Sequence, residues 1–247
     1  LANRFLANTP LIWRLCVDQI VVARLQVDQV QVEDYSCSVI VPARNEFGNI
    51  EKIVKRIPDM GLGTEIVFVE GGSQDATLAE CYRVKDAYPE KNIKVFVDGA
   101  QAVSHKAVNV RDLDCDFYSF SGHKCFGPTG VGVLFGKKNL LLDMEPFIFG
   151  GNMIDQVSFS KSSWGKLPHK LEAGTANIAG VIGLGVAIKY MLSLGLDQIK
   201  KREQMLTDLM WEDLKSINNV IINTSPPPSP IFSFNVSGVH NYDVGSL

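Results

Sequence analysis

Lys94-Val95-Phe96-Val97-Asp98-Gly99-Ala100-Gln101 and, about twenty residues on, Asp116-Phe117-Tyr118-Ser119-Phe120-Ser121-Gly122-His123-Lys124 decide how the chain folds. Each is an apolar run that ends in a polar cluster. The run Lys94–Val97 closes on the carboxylate of Asp98, and the run Asp116–Phe120 closes just short of the amine of Lys124. If both are strands lying parallel in one sheet, their carboxyl ends emerge on the edge where open α/β sheets bind ligands. Asp98 and Lys124 then come within reach of one small molecule.

The preceding chain supports a parallel sheet. Residues 38–42 read as a buried-type strand, Ala43 to Glu46 as its turn, and Ile50, Ile53, Val54 and Ile57 as one face of a helix ended by Pro58. Residues 65–69 form a second strand that runs into Gly71-Gly72 and a helix reaching about Tyr88. Two successive strand–helix units argue an α/β fold, three layers α/β/α around a mostly parallel sheet.

Beyond Lys124, Gly127-Pro128-Thr129-Gly130 makes a turn and residues 131–135 a further strand, while residues 139–170 read as irregular. A helix from about Asn177 to Ser193 is expected to turn Ile178, Val181, Ile182, Gly185 and Ile188 to a packed neighbour. A second, from Asp197 to Ile217, carries Ile199, Leu206, Leu209, Met210, Leu214 and Ile217 at core-packing spacing. Pro226 to Pro230 reads as a stiff connector and residues 231–236 as a strand. The expected divisions are 1–37, a linker or remnant with a short helix at 12–25; 38–96; 97–222; and 223–247, the start of a small C-terminal domain that is not completed.

Composition sets the outer bounds. A net charge of -3 with 21% charged residues offers no basic excess for nucleic acid. Five scattered cysteines (Cys16, Cys37, Cys81, Cys115, Cys125) have neither disulfide-framework nor zinc-ligand spacing, which fits a reducing cytoplasm. The apolar run 11–25 is broken by Arg14, Asp18 and Arg24 and is too short to span a bilayer, so no membrane segment is expected.

A lysine amine that can bind an aldehyde covalently, with an acid to hold a ring nitrogen, is the pair that pyridoxal phosphate requires. Two ordinary strand ends with solvated charges are the competing reading of the same residues.

Two resemblances extend this reading. Val41-Pro42-Ala43-Arg44-Asn45-Glu46 and Val69-Glu70-Gly71-Gly72-Ser73-Gln74-Asp75-Ala76-Thr77 resemble the start of a family 2 glycosyltransferase, over about residues 38–96. That resemblance implies a Rossmann-like nucleotide-sugar site with Glu46 and Glu70 at the nucleoside and Asp75 steadying the loop. The family's metal-binding Asp-x-Asp has no counterpart. Asp112-Leu113-Asp114-Cys115-Asp116 precedes a strand rather than following one, and reads as a solvated turn, not a metal site.

From Lys94 onward the chain is similar to the cysteine desulfurase branch of the class V aminotransferases, which use pyridoxal 5'-phosphate on a fold type I large domain. The resemblance rests on residues 97–105, 112–118, Phe120 to Lys124, Gly127 to Gly130, Gly150 to Met153, Leu171 to Thr175 and Tyr242 to Gly245. It implies that Lys124 binds the cofactor and moves protons, Asp98 pairs with the pyridine nitrogen, and Gln101 bonds the phenolic oxygen. By the same resemblance Ser121 and His123 bind the phosphate, and Thr175 reaches a partner's cofactor across a homodimer. It further implies L-cysteine as substrate, alanine as product and a sulfur-acceptor protein as partner.

The family's nucleophilic cysteine and substrate-binding arginine fall after residue 247 and its ring-stacking residue before the resemblance begins, so little turnover is expected. Together the two resemblances imply a junction of unrelated genes near residues 93–98, and a non-catalytic chimera is the third reading. Cys125, next to Lys124, should point to the opposite face from it. His105 reads as a surface group.

Overall fold

The computed structural model describes residues 35–224, 226 and 230–246. The expected linker and helix at the N-terminus, Cys16, and most of the proline connector lie outside these residues.

The central sheet has five strands in sequential order: β1 (Cys37–Ala43), β2 (Thr64–Glu70), β3 (Lys94–Asp98), β4 (Phe117–Ser121) and β5 (Gly132–Gly136). The first four are parallel and β5 runs antiparallel to β4. The α/β class and mostly parallel sheet are as expected. Helix α1 (Phe47–Arg56) joins β1 to β2, and α2 (Thr77–Ala87) joins β2 to β3.

Alternation along the strands decides which face is covered. In β2, Thr64, Ile66, Phe68 and Glu70 point inward, and Val95, Val97 and Tyr118 continue the row through β3 and β4. Ile50 and Val54 of α1 and Cys81 and Val84 of α2 close over them, each fully buried. At about 25 cal/mol per Å² of apolar area removed from water, this core is the main stabilising element. On the other face Phe96 and Phe117 stack at 6.1 Å while Ile40 of β1 is left 58% exposed.

Below the sheet, Asp116 differs from the solvated turn expected of it. It is buried and accepts from Lys85 Nζ at 2.6 Å and from Val95 N–H at 2.9 Å, with Lys137 Nζ at 3.4 Å. Asp114 pairs with Lys137 at 2.8 Å, and Asp112 accepts from Asn109 Nδ2 at 2.7 Å within the short helix α3 (Val110–Leu113). No cluster able to hold a metal occurs among the described residues.

The stretch read as irregular holds helix α4 (Lys138–Asp143) and a hairpin of β6 (Ile154–Val157) with β7 (Ser162–Trp164). Two long helices follow, α5 (Ile178–Leu194) and α6 (Leu196–Ser216), close to the expected bounds. The chain then pairs β8 (Val220–Ile222) with β9 (Phe234–Val236) and ends in α7 (Asn241–Ser246). β8 was not expected, and β9 is shorter than the strand anticipated there.

The packed faces of the long helices differ from expectation. In α5 the buried positions are Gly180, Leu184, Ala187 and Met191, while Ile178, Val181 and Ile182 are 55–64% exposed. An almost wholly apolar helix carries no periodic signal to say which side meets a neighbour; close approach of small residues decides it here. A Cβ on Gly183 would sit 3.1 Å from Pro128, and one on Gly127 3.1 Å from Leu184. In α6 only Thr207 and Leu214 are buried, and Leu206, Leu209, Met210 and Ile217 stay exposed. Among the described residues no single helix is long and apolar enough to cross a membrane.

Candidate functional site

The parallel register of β3 and β4 sets Asp98 opposite Ser119, so both strands deliver their polar ends to one edge. Asp98 is exposed, and its Oδ1 accepts from Ala100 N–H at 2.9 Å, which bends the chain sharply after the strand. The bend needs glycine at 99, because a Cβ there would lie 2.0 Å from Cζ and Oη of Tyr118. Tyr118 is 4% exposed and its hydroxyl has no hydrogen-bond partner among the described residues. Burial, with smaller contributions from Cys115, Cys125 and Asp98, pushes that phenol up to about 12.

One pairing beyond Phe120, β4 ends at Ser121 and passes into a tight 3-10 turn, Gly122–Lys124, before β5 returns. Three backbone bonds fix this turn: Gly122 N–H to Val131 O at 2.8 Å, Cys125 N–H to Gly122 O at 2.9 Å, and Gly127 N–H to the same oxygen at 3.0 Å. Its side chains divide as anticipated. His123 and Lys124 are exposed, and Cys125 is fully buried, with its thiol pushed up by desolvation.

The side chains of Gln101, Ser121, His123, Lys124 and Thr175 make no hydrogen bond or ion pair with other described residues. An amine, an imidazole and a hydroxyl left free on one pinned turn suit an aldehyde-bearing phosphate better than they suit a solvated strand end. The residues therefore fit the group that Asp98 and Lys124 suggested.

Thr175 does not cap the following helix. Asn177 does, accepting from Gly180 N–H at 2.9 Å, while its Nδ2 donates to Gly130 O at 3.1 Å. This tether ties the start of α5 to the loop that follows Lys124. The preceding segment is also fixed, by Gly174 N–H donating to Gly151 O at 2.9 Å. Nothing in the sequence marked Asn177 beyond its place before an apolar run.

The loops after β1 and β2 are tied to each other: Asn45 N–H donates to Ser73 Oγ at 2.9 Å, Glu46 N–H to Thr77 Oγ1 at 2.7 Å and Gln74 N–H to Asn45 Oδ1 at 2.8 Å. Glu70 is buried and accepts from Ser73 N–H at 2.5 Å; Glu46 accepts from Asn49 Nδ2 at 2.6 Å. Asp75 accepts from Thr77 N–H at 3.0 Å and from Phe47 N–H at 3.4 Å. The hydroxyl of Thr77, the first of these partners, holds the Asp75 carboxyl below the usual carboxylate range. Of the three carboxylates implied at a nucleoside, Glu46 and Glu70 thus brace their own loops and Asp75 also braces the loop after β1.

His105 is not a free surface group. It is half-buried, with Nδ1 2.6 Å from Glu203 Oε1 on α6. A contact spanning 98 positions leaves no local trace in a sequence.

Comparison with known proteins matches the family described as Aminotransferase class-V over residues 63–247. The match begins well before residues 93–98, and neither the glycosyltransferase resemblance nor a gene junction there receives support. The chain is similar to the cysteine desulfurase of Salmonella agona (strain SL483), 50% identical over 155 residues that cover 62% of this chain and 38% of that protein. It is also similar to the cysteine desulfurase of Wigglesworthia glossinidia brevipalpis, 45% identical over 67% of this chain and 40% of that one. These matches span about two fifths of the length of the curated relatives. Among solved structures, a cysteine desulfurase of Escherichia coli superposes with a TM-score of 0.69 at 28% identity, over 86% of this chain and 59% of that one.

Proposed function

Because the chain belongs to the aminotransferase class-V family, we propose that it holds pyridoxal 5'-phosphate at Lys124 and serves as the cofactor-binding portion of a cysteine desulfurase. The single observation that carries this is the pinned turn Gly122–Lys124, which presents a free lysine amine on the sheet edge shared with Asp98.

When bound, pyridoxal phosphate supplies an electron sink for the α-carbon of an amino acid. The chain supplies the rest. Lys124 Nζ attaches the cofactor and then carries a proton to and from the α-carbon. Asp98 holds a proton on the pyridine nitrogen by ion pairing. Gln101 meets the phenolic oxygen, and Ser121 and His123 take the phosphate. The proposed reaction removes sulfur from L-cysteine, leaves alanine, and passes the sulfur to an acceptor protein.

Thr175 is proposed to reach the cofactor of a second copy. The exposed apolar residues Ile178, Val181 and Ile182, directly after it on α5, support a homodimer contact there. The four described cysteines are free, which suits the reducing cytoplasm. We take residues 97–222 as the large-domain portion and 223–247 as the start of a smaller domain.

The test is incubation of the chain with pyridoxal phosphate. An absorbance band that borohydride abolishes, with the reduced label mapped by mass spectrometry to Lys124 and absent in Lys124→Ala, is expected. No band in the wild-type chain overturns the reading.

A further inference from the structure

A cleft of about 730 Å³ lies beside the carboxyl edge of the sheet, between Gln101 and His105 of the loop after β3 and Lys200, Glu203 and Thr207 of α6. Across it His105 Nδ1 meets Glu203 Oε1 at 2.6 Å, with side-chain exposures of 37% and 29%. A carboxylate only accepts, so Nδ1 carries the proton. Fully exposed pairs contribute little; this one is largely withdrawn from water and directional.

Its importance lies in what His105 is tied to. From Asp98 the loop advances by one bond to its side chain, Ala100 N–H to Asp98 Oδ1 at 2.9 Å, and two backbone turns, Ala102 N–H to Gly99 O at 2.9 Å and His105 N–H to Ala102 O at 3.0 Å. Gln101 sits in the middle of this series with no partner of its own among the described residues. The backbone that carries it is held at one end by Asp98 and at the other by His105.

We propose that Glu203 is a positioning residue that acts through His105 to fix the 99–106 loop and so aim Gln101 at the cofactor. This rests on the reading that the cofactor is held at Lys124. Pro230, from the segment leading to β9, lines the same cleft.

The test is titration of the full chain with pyridoxal phosphate, following the borohydride-sensitive band, in wild type, Glu203→Ala, Gln101→Ala and the double variant. Glu203→Ala is expected to weaken binding about tenfold, the scale of one charge-assisted hydrogen bond. In the Gln101→Ala background it is expected to add nothing, because the two act in series. Glu203→Gln, whose amide oxygen still accepts from Nδ1, and His105→Asn, whose amide nitrogen replaces Nδ1, should both stay within about twofold of wild type. Independent, multiplying losses, wild-type affinity in Glu203→Ala, or failure of the two conservative variants alone would overturn the inference and leave the cofactor reading standing. A wild-type chain with no band overturns both.

Discussion

Asp98 lies opposite Ser119 in the parallel register of β3 and β4, one step beyond the Val97–Tyr118 pair. Since β4 continues only to Ser121 before turning, the carboxylate and the Lys124 turn leave the sheet on the same edge. Asp98→Asn keeps the shape of the side chain and removes its charge. The variant should still form the borohydride-sensitive band but bind pyridoxal phosphate about tenfold more weakly, the worth of one charged hydrogen bond. Unchanged affinity in a band titration would separate Asp98 from the ring nitrogen.

The contact of Gly99 with Tyr118 makes a sharper stability prediction. A methyl at Gly99 would sit 2.0 Å from the phenol, so Gly99→Ala must displace the ring or the bend. Overpacking of this kind costs about 1–3 kcal/mol. Tyr118→Phe should go the other way. It removes a buried hydroxyl that has no partner among the described residues, so urea unfolding should show stability equal to wild type or up to about 1 kcal/mol higher. A clear loss in Tyr118→Phe would mean that the hydroxyl has a partner in solution.

How much of this was legible in the sequence depended on whether the signal was local. Strands with strict alternation, such as Thr64–Glu70, and turns punctuated by glycine, such as the one carrying Lys124, declare themselves within a few residues. The opposed exposure of Lys124 and Cys125 was anticipated from strand alternation, yet it arises in a 3-10 turn, where the adjacent His123 and Lys124 are both exposed. The face of α5 was not legible, because a helix apolar on all sides is oriented by close approach to Pro128 rather than by its own pattern. Nor was Asp116, whose neighbours Asp112 and Asp114 suggested a solvated acidic turn. Its lysine partners come from 31 positions before it and from the start of the connection after β5. His105 failed for the same reason, since its partner is supplied by a helix that follows much later.

Asp116 also sets an acid limit on the fold. Burial alone would raise its carboxyl pKa. The bond from Lys85, the Val95 N–H and the charge of Lys137 outweigh that, and the net shift is downward. A carboxyl held below its ordinary value contributes stability that is complete above about pH 5 and is lost as pH falls past 3.9 through the lower folded value. Asp116→Asn should lower stability by about 2–3 kcal/mol at pH 7, because it strands Lys85 beside a neutral group. Between pH 5 and pH 3 the wild type should therefore lose more stability in urea unfolding than the variant does. Parallel curves would mean that the Asp116 carboxyl titrates alike in the folded and unfolded chain.

The last prediction concerns sulfur handling beside the lysine. Cys81, Cys115 and Cys125 are fully buried, and desolvation raises each thiol, Cys81 to about 12. Cys37, on the edge strand β1, is only partly covered. The thiolate is the reactive form, and it is scarce wherever burial raises the pKa. Alkylation of the native chain at pH 8, mapped by mass spectrometry, should therefore modify Cys37 well before the other three, and all four should react in denaturant. Cys125→Ala should retain the borohydride-sensitive band, because the side chain faces the core while Lys124 faces the edge. Native labelling of Cys125 at the rate of Cys37 would show that the three backbone bonds around Gly122 do not hold the turn. The lysine would then no longer be fixed relative to Asp98.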